Sequence, residues 1–123
     1  MKRISSNSSF EREYSYSRAI INGPFIFISG TTGYDYKNMF LPEGIEAQCE
    51  QCFKNIEETL LEAGASMSNI VRIQYILPKA SDFEKCRSVI NLYLNEVKPA
   101  ATMFEAGLLN DEMKIEIQVT AMK

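Results

Sequence analysis

The chain has no histidine and no tryptophan, and only 3 cysteines and 4 prolines in its 123 residues. The missing histidine excludes Ser-His-Asp and Cys-His nucleophilic machinery built within this chain. It also removes the commonest transition-metal ligand. Chemistry here must use carboxylates, hydroxyls, thiols, backbone groups or water. No apolar run approaches the roughly 18 residues that a membrane span needs. The polar start, MKRISSNSSFERE, lacks the apolar core of a signal peptide. The cytoplasm is therefore the expected compartment. An odd number of cysteines reads there as reduced thiols, not as a disulfide framework. A concentrated basic patch is lacking too: the 13 lysines and arginines are scattered and the net charge is −3. Nucleic acid is disfavoured as a partner on that ground.

What is present is an ordinary globular composition, 46% hydrophobic and 24% charged. The length fits one domain over residues 1–123, large enough for one core. The polar residues 1–13 are expected to fray or to form an edge strand. Two β-rich runs follow, Tyr16 to Ile21 and Phe25 to Ser29, joined by the hairpin signal Asn22-Gly23. Pro24 cannot donate to a ladder and is placed at the first residue of the second strand. Gly30 to Met39 reads as a loop. Pro42 reads as the opening of a helix. Its apolar face is Ile45, Cys49, Cys52, Phe53, Ile56, Leu60 and Ala63, and Gly64 closes it.

Ile70 to Leu77 reads as a strand with Val71, Ile73, Tyr75 and Leu77 on one face. Pro78 ends it. Ser81 and Glu84 make a capping-box pattern for a second helix, whose stripe is Phe83, Cys86, Ile90, Tyr93, Leu94 and Val97. Thr102 to Ala106 and Met113 to Met122 read as two final strands. In the last one Met113, Ile115, Ile117, Val119 and Ala121 alternate with Lys114, Glu116, Gln118 and Thr120. The order ββ-α-β-α-ββ predicts an α+β fold of two layers, a sheet with two helices on one face. The bare face then meets water, a ligand or another subunit.

Cys49-x-x-Cys52 superficially resembles a metal or redox pair. Zinc takes four ligands, only Cys86 remains to join them, and both cysteines fall on an apolar helix face, so they read as core. No metal and no cofactor is expected. Gly30-Thr31-Thr32-Gly33 lacks the spacing and the lysine of a phosphate loop, though its backbone N–H groups could face an anion.

Several segments, in order, carry a resemblance. They are Tyr16-Ser17-Arg18-Ala19, Phe27 to Gly33 (FISGTTG), Asn55 with Glu62-Ala63-Gly64-Ala65, Ile70-Val71, Pro99-Ala100-Ala101-Thr102 and Lys114-Ile115-Glu116-Ile117. Together they resemble the RidA/YjgF family, small proteins that hydrolyse reactive imines and enamines. The resemblance implies a chorismate-mutase-like fold with a mixed sheet of about five to six strands. It implies a homotrimer that binds a small metabolite in clefts between subunits, with Glu116 as the catalytic carboxylate. It implies ligand-binding roles for Tyr16, Gly30 and Thr31, and places Arg87, Ala101 and Met103 at further site positions.

One position departs from the family. Its active members carry an arginine after the Pro-Ala pair, and here that residue is Ala101. A guanidinium fork fixes a substrate carboxylate in position and angle. Losing such a contact costs about 2–5 kcal/mol, on the order of 30- to several-thousand-fold in rate. Three readings follow: a metabolite-binding trimer with weak or altered deaminase activity; an active imine or enamine deaminase with another anchor; and a non-enzymatic regulator or chaperone-like protein. Arg87 or Arg18 serves as the other anchor only where the fold points it into the cleft. The family is also described as endoribonuclease L-PSP-like. The acidic charge and absent histidine make RNA cleavage the weakest reading here.

Overall fold

A computed structural model describes residues 1–123. In chain order the elements are β1 (Lys2–Ile4), α1 (Ser9–Tyr14), β2 (Ala19–Asn22), β3 (Phe25–Thr32), α2 (Ile45–Glu62), β4 (Ile70–Leu77), α3 (Arg87–Leu94), β5 (Ala100–Glu105) and β6 (Glu116–Met122). Short 3₁₀ turns lie at Met67–Asn69 and Ala80–Cys86. The strands form one six-stranded sheet in the order β1-β2-β3-β6-β4-β5. Its pairings are antiparallel except for β4 with β5, which run parallel. This is the expected chorismate-mutase-like α+β architecture with a mixed sheet.

Residue type accounts for the layers. In β6, Ile117, Val119 and Ala121 are buried beneath the helices, and Glu116, Gln118 and Thr120 alternate with them on the other face. On α2, Cys49, Cys52, Phe53, Ile56 and Leu60 are fully buried, recurring at helical spacing to close the core from above. Phe53 stacks on Tyr93 with ring centroids 4.8 Å apart, which ties α2 to α3.

The hairpin between β2 and β3 is as tight as expected, but its turn is Gly23-Pro24, since Asn22 pairs with Phe25. Gly23 takes φ 59°, the left-handed conformation that the turn requires. Pro24 therefore lies in the turn and not at the start of the strand.

Other expectations are corrected. Helix α2 starts at Ile45, with Gly44 at its N-cap, so Pro42 stands outside it. Ser81 and Glu84 make no capping box: that stretch is a 3₁₀ turn capped at Lys79 without a side-chain bond, and α3 begins only at Arg87. Val71 is exposed and Ile70 is buried in its place, because the β4–β6 register shifts between Ile70 and Arg72. The segment 1–13 supplies both edge strand β1 and the helix α1, which was not expected. Strand β2 begins at Ala19, so Tyr16 precedes it, and β3 runs on through Gly30 to Thr32.

Candidate functional site

The site grows from a bulge. Ile28 pairs with Val119 and Thr31 with Ile117, so Ser29 and Gly30 together oppose Gln118 alone. The extra residue bends β3 where β6 begins and brings Gly30 against Glu116. A Cβ on Gly30 would stand 2.6 Å from the Glu116 Oε1. Only glycine lets the carboxylate rest on the backbone in this way.

Two buried amides hold this end of the sheet. Gln48 on α2 donates through Nε2 to the Pro42 and Glu112 carbonyls, at 3.0 and 2.9 Å, and its Oε1 accepts from the Lys114 N–H at 2.8 Å. It thereby fixes the approach to β6 two residues before Glu116. Asn55, two turns further along α2, donates to the carbonyls of Thr32 at 3.1 Å and Tyr34 at 2.8 Å, where β3 ends. The Tyr36 hydroxyl accepts from the Thr32 N–H at 2.8 Å. Each backbone group is paired by a side chain because the ladder stops here.

Glu116 borders a cavity of about 390 Å³ with Tyr16, Ser29 and Gly30. Phe10 and Tyr14 of α1 form one wall; Leu109 and Gln118 complete it. Helix α1 is held by its N-cap, Ser8, which accepts from the Glu11 N–H at 3.2 Å. The Glu11 carboxylate in turn accepts from the hydroxyls of Ser5, Ser6 and Ser8. Burial pushes the Glu116 carboxyl above its ordinary value, and the charge of Arg18 partly opposes the shift. Burial likewise raises the Tyr16 phenol, again against Arg18. A carboxyl held this way can accept a proton from water and return it.

The structure thus brings Tyr16, Gly30 and Glu116 together. Thr31 lies beside them in sequence but is fully buried; its hydroxyl donates to the Ser29 carbonyl at 2.8 Å. Ala101 and Met103 are on β5, aligned with Ile73 and Tyr75 of β4, at the sheet edge away from Gly30. Ala101 is exposed, and Met103 packs partly on the core. Arg87 opens α3, with its head mostly exposed and paired with Glu84. Within one chain none of these three lines the Glu116 cavity.

Phe10, Tyr14 and Leu109 were missed as lining residues. Ser8-x-x-Glu11 was the available signal for α1, since a Ser-x-x-Glu spacing marks a helix start. No spacing rule predicts Leu109, which a loop delivers. The three cysteines are free and buried in the core, as their helical spacing suggested.

Comparison with known proteins identifies the family. Residues 6–123 match the family model described as Endoribonuclease L-PSP. A RutC family protein of Pyrococcus abyssi is 35% identical over 88% of this chain and 86% of its own length. A rat protein named 2-iminobutanoate/2-iminopropanoate deaminase is 28% identical over 88% of this chain and 80% of its own. Among solved structures, a Mycobacterium tuberculosis member of the YjgF/YER057c/UK114 family superposes with a TM-score of 0.90 at 28% identity, covering 99% of this chain and 98% of that one. RidA from an Antarctic Psychrobacter gives 0.84 at 30% identity, covering 99% and 94%. By these matches and by fold, the chain belongs to the Endoribonuclease L-PSP family, the group that includes RidA and YjgF.

Proposed function

We propose that this chain is a Rid-type protein that binds a small metabolite in clefts between the subunits of a homotrimer. Hydrolysis of imines or enamines is weak or altered in it, because Ala101 stands where active members carry arginine. The observation that carries this reading is the Glu116 carboxyl, half-buried over Gly30 in a cavity beside Tyr16. In an imine substrate, water attacks the C=N carbon as Glu116 takes a proton from that water. The C=N electron pair moves to nitrogen, which is protonated. The C–N bond of the resulting carbinolamine then breaks, leaving a carbonyl compound and ammonia. The name of the rat relative is consistent with that chemistry.

The trimer part of the proposal has its own support. The proposed site positions divide between Tyr16, Gly30 and Glu116 on one side and Ala101 and Met103 on the far edge strand, a separation that a cleft completed by a second copy would bridge. Strand β5 has a partner on one side only. The sheet face away from the helices carries Phe25, Phe27, Phe104 and Met122, each more than 40% exposed. Apolar area of this kind on a sheet face fits a subunit interface.

The test is hydrolysis of a freshly generated 2-imino acid by the wild type, Ala101→Arg and Glu116→Gln. The expected result is slow wild-type turnover, a gain of at least about 30-fold in Ala101→Arg, and its loss when Glu116→Gln is added. Fast wild-type turnover that depends on Glu116 makes the chain a full deaminase with another anchor. Turnover indifferent to Glu116, or a monomer in sedimentation, removes the proposal.

A further inference from the structure

Arg18 is the oddest side chain in the molecule. Its side chain is among the largest that are fully buried, at 1% exposure. It has no carboxylate partner: the two ion pairs of the protein are Lys85–Asp82 and Arg87–Glu84. Burying an unpaired charge costs several kcal/mol unless other groups offset it. The groups that do so are specific. Nη2 donates to the Gly30 carbonyl at 2.6 Å. The guanidinium lies 4.7 Å from the centroid of the Tyr36 ring and 5.6 Å from that of Tyr16, the geometry of cation–π attraction. Nε and Nη1 have no partner and no solvent access. No ligand reaches them in this arrangement, so Arg18 is not a direct substitute for the missing arginine. It acts through what it touches, and two of those residues, Gly30 and Tyr16, line the cleft.

We infer that Arg18 is a positioning residue for the Glu116 cleft: it fixes the Gly30 bulge on which the carboxylate rests, and it supplies a fixed positive charge behind it. This rests on the reading of Glu116 as the working group. The Gly30 carbonyl is held from one side by Arg18, and the Gly30 Cα meets Glu116 on the other. A bulge locally disrupts the ladder, and the charge-assisted bond from Arg18 ties the Gly30 carbonyl there. The charge matters because burial favours protonated Glu116, and a protonated carboxyl cannot take a proton from water. The other titratable groups around Glu116 do not oppose burial. They are Tyr16 just before β2, Tyr14 of α1 across the cavity, and Cys52 of α2, whose thiol is pushed up by burial and by the Glu116 charge itself. Tyr36, on the loop, and Glu11, on α1, act at one remove, on Arg18 and Tyr16.

The experiment follows the Glu116 carboxyl by ¹³C NMR against pH in the whole protein, with kcat profiles for the wild type or, if it is slow, the Ala101→Arg background. In wild type the buried Arg18 Nε–H resonance should move with the same midpoint as Glu116. Arg18→Gln should raise that midpoint, carry the acid limb of the kcat profile upward with it, and lower kcat about tenfold at neutral pH. Arg18→Lys, which keeps the charge, should restore the midpoint more fully than kcat. A lost fold alone would shift melting without this split. An Arg18 resonance blind to Glu116, or a midpoint unmoved in Arg18→Gln, overturns the inference. If Arg18→Gln does not fold, the wild-type resonance and Arg18→Lys still decide it. If turnover ignores Glu116, the deaminase reading falls, and the carboxyl titration still judges Arg18.

Discussion

The two places where the candidate site residues fall are built in opposite ways. Where β3 meets β6, the backbone is tied by side chains: Gly30 to Arg18, the Glu116 approach to Gln48, the end of β3 to Asn55. On β5 the residues are mostly exposed, paired on one side only, and Ala101 reaches nothing beyond the ladder. A carboxylate that must sit within a fraction of an ångström needs support from several elements. A position on an edge strand paired on one side only has no such support. Ala101 lies on the free side, where a change of side chain costs the lone chain little. A change on the tied side disturbs both stability and site.

The largest effect expected from breaking this contrast is at Gln48. Gln48→Ala removes three hydrogen bonds and leaves the Pro42 and Glu112 carbonyls and the Lys114 N–H without partners. The expected destabilisation is about 3 kcal/mol in urea unfolding. Ala101→Arg, on the exposed edge, should change stability by less than about 0.5 kcal/mol. Equal losses for the two variants would show that the tied region is not the stiffer one.

Gly30→Ala comes next and separates stability from positioning. The added methyl would collide with the tip and stem of the Glu116 side chain, not with backbone. That side chain can swing aside, so the cost in stability should be only about 1 kcal/mol. The carboxylate would then leave its place, and displacement of about 1 Å costs on the order of 100-fold in rate. The comparison of melting with Glu116-dependent turnover checks this. A variant as active as its parent would mean that contact with Gly30 does not place the carboxylate.

Most of the architecture was legible because it rests on local patterning. The alternation in Met113 to Ala121, the helical stripe from Ile45 to Leu60, and the hairpin signal at Asn22-Gly23, one residue ahead of the Gly23-Pro24 turn, record a periodicity of 2, of 3.6, and a reversal of the chain. The errors lie where a local rule met a tertiary competitor. Val71 fits an alternating strand, but a bulge in register gave its buried place to Ile70. Pro42 suits a helix start, but Gln48 uses its carbonyl to anchor the loop and the helix begins later. At the site, Tyr16, Gly30 and Glu116 could be named from family resemblance alone, since no spacing links residues 16, 30 and 116. Arg18 was weighed only as a replacement anchor, and nothing in the sequence signalled its burial. A buried, unpaired arginine in a β-rich run looks like any surface charge until the fold closes around it.

The smallest effect compares two carboxylates, and its sign separates a structural acid from a functional one. Glu11 is buried, which works against its charge, but the bonds from Ser6, Ser8 and Ser5 outweigh burial and lower its pKa. The native state then binds fewer protons there than the unfolded chain, so that stability is present above the ordinary value of 4.5 and is lost as pH falls through the lowered one. Glu116 is shifted the other way: burial raises it, Arg18 offsets only part, and the native state holds the proton more tightly. Stability should fall as pH rises from 4.5 through the raised value, and stay lower above it. Urea midpoints measured from acid to neutral pH should therefore fall less on the acid side in Glu11→Gln and rise at neutral pH in Glu116→Gln. A residue that supports the fold is missed when its charge is removed, whereas one held ready for chemistry relieves the fold by its removal. If Glu116→Gln proves less stable than wild type at neutral pH, Glu116 belongs with Glu11 as a structural acid, and the contrast between the two regions loses its functional meaning.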